Sequence, residues 1–115
     1  MSPGELDGAS VLLLDDGHCF RDQALAVCAG AGAHELGFRA TSLPTLAQMV
    51  AGGSGVTLLP RLAVATEAAR AGLKVRPFAA PAPHRTVALV WRRGSASSGP
   101  LRELGREMRR GWPAP

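Results

Sequence analysis

Cys19 and Cys28 are the only cysteines in this 115-residue sequence. They bracket the stretch His18-Cys19-Phe20-Arg21-Asp22-Gln23-Ala24-Leu25-Ala26-Val27-Cys28, which reads as the start of a helix. Nine residues of helix advance the chain about 13.5 Å and rotate it about half a turn. A disulfide needs Cα atoms within roughly 7 Å. A bond between these thiols therefore requires the helix to unwind, which suits a switch and not a permanent staple. Cys19 follows a Gly-His turn at the helix start, where unpaired backbone N–H groups and the helix dipole favour an anion and hence a reactive thiolate. His18 and Arg21 add positive character nearby. Cys28 falls on an apolar face near the helix end and, by itself, reads as an ordinary buried thiol. Residue type alone leaves both a structural and a reactive role open for Cys19.

Other chemistries find less support. Two thiols and three scattered histidines lack tight ligand spacing, so no metal is expected. No cofactor is expected either, because no Gly-x-Gly-x-x-Gly joins a strand to a helix and no Walker-type Gly-Lys-Ser/Thr occurs. Gly52-Gly53-Ser54-Gly55 runs from a helix into a strand and suits a tight return. Asp15-Asp16 before Gly17 is an ordinary turn, and His34 reads as a solvated loop residue. The net charge is +4, with Arg102, Arg106, Arg109 and Arg110 clustered near the C-terminus. No aromatic interleaving, zinc spacing or helix-turn-helix pattern accompanies those arginines, so they do not mark a nucleic-acid surface. No apolar run approaches the roughly 18 residues of a membrane span, and no signal-peptide pattern follows Met1. A cytosolic chain without a membrane partner is expected. In that reducing compartment a cysteine pair is more often catalytic or sensory than a fixed bridge.

The elements that must position these residues alternate between strand and helix. Ser10 to Leu14 reads as a buried strand ending at Asp15-Asp16-Gly17. The helix from Phe20 to about Cys28 carries Phe20, Ala24, Val27 and Cys28 on one face and stops at Gly30 and Gly32. Phe38 to Thr41 is a second strand. Ser42 caps a helix with Pro44 in its first turn, which ends at Gly52-Gly53. Gly55 to Leu59 is a third strand, 61–71 an Ala-rich helix capped by Gly72, and Leu73 to Phe78 an edge-like strand. After the Ala79–Pro83 linker, whose prolines exclude helix, Val87 to Trp91 is the last strand, and a final helix starts near Pro100. The residues from Trp112 onward read as a frayed tail. The pattern implies an α/β fold with a mainly parallel sheet. At 46% hydrophobic, the chain has one domain's worth of core.

The sequence resembles the regulatory domain of the peroxide-sensing, OxyR-type branch of the LysR-type transcriptional regulators. The resemblance is carried by Leu-Asp-Asp-Gly-His-Cys-Phe-Arg-Asp-Gln-Ala-Leu (14–25) with Cys28, by Phe-Arg-Ala-Thr-Ser-Leu (38–43) with Met49-Val50-Ala51-Gly52, by Gly-Ser-Gly-Val-Thr-Leu-Leu-Pro (53–60), and by Arg-Thr-Val-Ala-Leu-Val (85–90). The first motif is the specific one, since paired cysteines set peroxide sensors apart from other LysR-type proteins. The third belongs to the broader effector fold.

The resemblance implies part of an effector domain of the type 2 periplasmic-binding-protein kind. Residues 1–83 correspond to its second α/β subdomain, which carries the redox cysteines. Residues 84–115 correspond to a return strand and C-terminal helix of the first. It further implies that Cys19 is the peroxide-reactive thiol and Cys28 the resolving one, and that His18, Asp22, Thr41, Ser42 and Arg85 belong to the peroxide or effector pocket. Gly37 stands where the family often has a pocket histidine. The implied partners are hydrogen peroxide, further copies in a homodimer or tetramer, a glutaredoxin- or thioredoxin-like reductant, and DNA only through an N-terminal domain that this chain lacks. The function implied is regulatory and not enzymatic. Two rival readings are a LysR-type effector domain that binds a small organic ligand with structural thiols, and a thiol peroxidase. The latter lacks the Cys-x-x-Cys spacing of thioredoxin-like proteins.

Overall fold

The computed structural model describes residues 1–112, and the tail reading at 113–115 lies outside the described residues. Contacts divide the chain into two units, 1–83 and 84–115.

In the first unit, strand β1 (Ser10–Leu14) pairs in parallel with β2 (His34–Ala40). Helix α1 (Cys19–Gly30) makes the crossover, and α2 (Leu43–Ala51) follows β2. The four consecutive apolar residues Val11 to Leu14 are all buried because β1 is covered on both faces, the burial typical of a parallel strand. Val11 and Leu13 pack with Ala24 and Cys28 of α1. Leu12 and Leu14 pack with Ala40 and with Leu46 of α2. Phe20 touches both clusters. A register shift between Val11 and Leu13 pairs them with Glu35 and Arg39, so two residues of β1 span four of β2. Phe38, beside this bulge, is exposed.

Helix ends follow local chemistry. The Ser42 hydroxyl accepts from the Thr45 N–H at 3.3 Å, and Pro44 lies in the first turn of α2. Helix α1 ends at Gly30, with Ala31 as cap and Gly32 at φ +73°. Pro3–Leu6 forms a short 3-10 turn that buries Leu6.

Three expected strands need correction. From 55–59 only Val56 makes a bridge, to Val11, on the β1 edge opposite β2. In a continued parallel ladder the Leu58 N–H would bond the Leu12 carbonyl. That carbonyl instead accepts from the Thr57 hydroxyl at 2.8 Å, and Pro60 has no N–H to extend the ladder. Residues 73–78 form no strand. The adjoining backbone meets the N-terminus instead, through Met1 N–H to Pro77 O (2.8 Å) and Ala79 N–H to Met1 O (2.7 Å).

The expected helix at 61–71 is interrupted. A π turn (Val64–Ala68) sits between the single turns α3 (Arg61–Ala63) and α4 (Ala69–Ala71), and Gly72 closes the segment at φ +66°. Helix α2 contacts the π turn, and Ala47 and Ala68 are both buried.

The second unit contains α5 (Ser98–Arg110) beside residues 86–91, which form no regular element. Residues 87–91, expected as a return strand, form none. A strand is defined by a neighbour, and among the described residues no segment supplies a ladder to this one. Val87 and Val90 are exposed.

Candidate functional site

In a parallel α/β sheet, ligands bind beyond the carboxyl ends of the strands. Here the ends of β1 and β2 are tied by a hydrogen bond from the Asp15 N–H to the Ala40 carbonyl at 2.9 Å. The chain leaving β1 runs through Asp15–His18 into Cys19, the first residue of α1, with Asp22 in its first turn. The chain leaving β2 runs through Thr41 and Ser42 into α2. The topology thus brings His18, Cys19, Asp22, Thr41 and Ser42 to one end of the strand pair. Arg85 belongs to the second unit.

Cys19 is an exposed free thiol. His18 precedes it as N-cap in extended conformation, and its side chain makes no cap hydrogen bond. The His18 carbonyl accepts from the Arg21 N–H at 2.9 Å. Asp22 and Thr41 are exposed. The Ser42 hydroxyl is committed to the cap of α2 and also lies 2.9 Å from Thr45 Oγ1.

Cys28 has the opposite environment. It is 3% exposed, enclosed by Val11, Leu13 and Ala24. Burial pushes its thiol above the usual range, and the nearby Glu35 carboxylate adds to the effect, so Cys28 rests as a neutral thiol. The two cysteines of one helix are thus an accessible one at its first residue and a shielded one in the core.

Sequence reasoning placed the charge of Arg21 beside Cys19, and the structure turns it inward. Arg21 is 5% exposed. Its Nε donates to Asp16 Oδ1 (3.0 Å) and its Nη1 to the Leu14 carbonyl (3.0 Å). A bidentate pair joins Nη1 and Nη2 to Glu35 Oε1 (2.8 Å) and Oε2 (3.1 Å). Arg39 contacts the same two carboxylates, through Nε to Glu35 at 3.1 Å and Nη1 to Asp16 at 2.7 Å. The hydrogen bond from Arg21 is the main reason the Glu35 carboxyl is held below the usual carboxylate range. The same bond raises the Arg21 guanidinium.

Glu35 was missed because 34–37 reads as a loop without the ladder to β1, and Arg39, inside the expected strand at 38–41, then had no partner in view. The available signal was a pair of opposite charges four residues apart, which in an extended strand lie on one face.

Within the second unit, 86–91 and α5 line an open groove of about 750 Å³, with Val87, Leu89, Trp91 and Met108 among its walls. None of the sequence-predicted site residues lines it. Among the described residues, no group of three or more His, Cys, Asp or Glu is arranged to hold a metal ion. No helix among them is long and apolar enough to cross a membrane.

Comparison with known proteins shows the family. The LysR substrate binding domain matches residues 1–113. The chain is 52% identical over 106 residues to the hydrogen peroxide-inducible genes activator of Dickeya chrysanthemi, covering 91% of this chain and 35% of that protein. It is 50% identical over 106 residues to the DNA-binding transcriptional dual regulator OxyR of Escherichia coli strain K12, with the same coverage of 91% and 35%. It is 52% identical over 96 residues to a probable hydrogen peroxide-inducible genes activator of Mycobacterium avium, covering 82% and 31%. The chain therefore spans about a third of the length of these relatives. No solved structure gives a significant match. With strands alternating with helices, a buried parallel strand at the centre and this match over nearly all its residues, the chain belongs to the LysR substrate-binding domain family.

Proposed function

We propose that this chain is the redox-sensing part of the regulatory domain of a peroxide-responsive LysR-type transcription regulator. The observation that carries the reading is the contrast between its two thiols. Cys19 is exposed at the start of α1 and Cys28 is sealed in the core under the same helix, in a chain half identical to hydrogen peroxide-inducible gene activators.

In this reading the Cys19 thiolate attacks the peroxide O–O bond and becomes a sulfenic acid. Cys28 then condenses with it to a disulfide, with loss of water. Burial keeps Cys28 protonated and away from peroxide until the helix opens, which supports the resolving role for it. His18, Asp22, Thr41 and Ser42, at the carboxyl end of the strand pair, line the crevice where peroxide enters. Since α1 must unwind to close the bond, oxidation rearranges the element that covers one face of β1. That rearrangement is the signal.

DNA binding is assigned to a part of the regulator outside this chain, and the whole works as a homodimer or tetramer in the cytoplasm. A glutaredoxin- or thioredoxin-like system returns the disulfide to thiols. The relatives are regulators, and this chain acts once per signal without turning over substrate.

The test is a peroxide titration with alkylation of the remaining thiols. One equivalent of hydrogen peroxide is expected to remove both free thiols and give one intramolecular disulfide per chain. Retention of both thiols under micromolar peroxide, with a small organic metabolite raising the melting temperature instead, would overturn the redox reading. Sustained peroxide consumption with a thiol reductant would show an enzyme.

A further inference from the structure

We propose that Arg21 is a latch on the first turn of α1 that sets how fast Cys28 reaches Cys19. The inference rests on the redox reading above. Two chemical steps must be separated. In the first, a Cys19 S–O bond forms as the peroxide O–O bond breaks, and the leaving hydroxide takes a proton to become water. In the second, the Cys28 sulfur attacks the Cys19 sulfur: the S–S bond forms, the S–O bond breaks, and the proton of Cys28 leaves with the hydroxyl as water. Only the second step requires the two thiols to meet, and so only the second requires α1 to unwind.

Helix α1 lacks a conventional N-terminal hold, because the His18 side chain makes no cap hydrogen bond. Its first turn is held by the packing of Phe20 and, through polar contacts, by the third residue of the helix. The Arg21 guanidinium, almost fully buried, ties that turn to the last carbonyl of β1, to Asp16 in the connecting loop and, by two bonds, to Glu35 of β2. Arg39 holds the same two carboxylates. These contacts differ in strength. Asp16 is 79% exposed and solvated, whereas the Glu35 side chain is 24% exposed, so the bidentate Arg21–Glu35 pair is the main hold. Unwinding 19–28 moves the Arg21 backbone and must break this set.

At the Cys28 end the hold is apolar; at the Cys19 end Phe20 packs on both core clusters and the Arg21 set adds a hold that is ionic and directional. Cys19 itself is exposed, so peroxide reaches it with the latch closed. Arg21 is a positioning residue in this scheme: it touches neither sulfur's reaction partner and governs when the helix releases them.

The test measures both steps in the whole chain, by dimedone capture of the sulfenic acid and by timed alkylation for disulfide closure. Arg21→Met keeps most of the stem and removes the guanidinium, and Glu35→Gln keeps the shape and removes the charge. Both are expected to leave Cys19 sulfenylation unchanged and to speed closure, by about tenfold or more for Arg21→Met. Arg21→Lys, which keeps a charge without the fork, falls between. If Arg21→Met does not fold, Glu35→Gln carries the test in the same direction. Leu46→Ala, in the cluster on the other face of β1, lowers the melting temperature without speeding closure, which separates a latch from general loosening. Closure in the Arg21 and Glu35 variants at the parent rate, or equal acceleration in Leu46→Ala, overturns the latch while leaving the redox reading intact. Absence of both a Cys19 sulfenic acid and a disulfide in the peroxide-treated parent chain overturns both.

Discussion

Replacing Gly55 with alanine tests how the chain returns from α2 to the open edge of β1. Gly55 has φ +142°, a region L side chains rarely adopt. A Cβ there would lie 2.6 Å from the Ser10 carbonyl oxygen and 3.2 Å from Leu36 Cδ1. The first neighbour is backbone and cannot rotate away. It is also the acceptor for the Val56 N–H at 3.0 Å, the first of two bonds that hold the bridge, the other being Leu12 N–H to Val56 O at 2.9 Å.

Relieving the clash separates the segment from β1. The cost combines about 1–3 kcal/mol of backbone strain with about 1 kcal/mol for each weakened hydrogen bond. A total of about 3–5 kcal/mol is expected, which lowers the melting temperature of a unit this size by roughly 12–40 °C. Gly53→Ala is the control. Its φ is +84° but nothing lies within 4 Å of the added Cβ, so only the conformational cost of about 1 kcal/mol applies. Urea unfolding followed by circular dichroism measures both variants. Equal destabilisation of the two, or a loss at Gly55 under about 0.5 kcal/mol, would show that the close approach to Ser10 does not hold the edge.

Three further outcomes follow from the packing and charge. Cys28→Ser places a hydroxyl among Val11, Leu13 and Ala24 and should cost about 1–3 kcal/mol in urea unfolding, while Cys28→Ala should cost about 1 kcal/mol and is the cleaner variant for removing the proposed resolving thiol. Glu35 has its folded carboxyl held below the ordinary value, so its contribution to stability is present above about pH 4.3 and is lost as pH falls through the folded value. Glu35→Gln should therefore be less stable than the parent at pH 7 and lose less on acidification, and identical acid limbs in the two urea-midpoint profiles would contradict the assignment. Ser42→Ala removes the cap of α2 and should lower stability by about 1 kcal/mol by the same assay.

What the sequence revealed depends on whether the cause is local. Strand β1 is a continuous apolar run closed by a turn, and α2 begins with Ser42 and Pro44, so both were readable from neighbouring residues. Helix α1 and its two thiols were readable too, since nine residues of helix fix their separation without further context. Residues 55–59, 73–78 and 87–91 carry strand-like composition, but a ladder depends on a partner elsewhere. At 57 a threonine hydroxyl took the carbonyl that a backbone N–H would have used. The inward turn of Arg21 depends on Glu35, fourteen residues away, and on a register shift that no periodicity announces. Of the candidate site residues, Cys19 and its chain neighbours were legible because they follow directly from the turn that starts α1. The sequence did not anticipate the buried ion network that anchors them.

The division of labour between the two thiols is the central claim, and dimedone labelling of single-cysteine variants under limiting hydrogen peroxide tests it most directly. With Cys28→Ala, peroxide should yield a stable dimedone adduct on Cys19 at the rate at which the parent chain first loses a thiol. With Cys19→Ala, Cys28 should remain an unmodified thiol over the same time, as its burial and raised thiol require. An adduct on Cys28 in the absence of Cys19, or none on Cys19 in the absence of Cys28, would contradict the account.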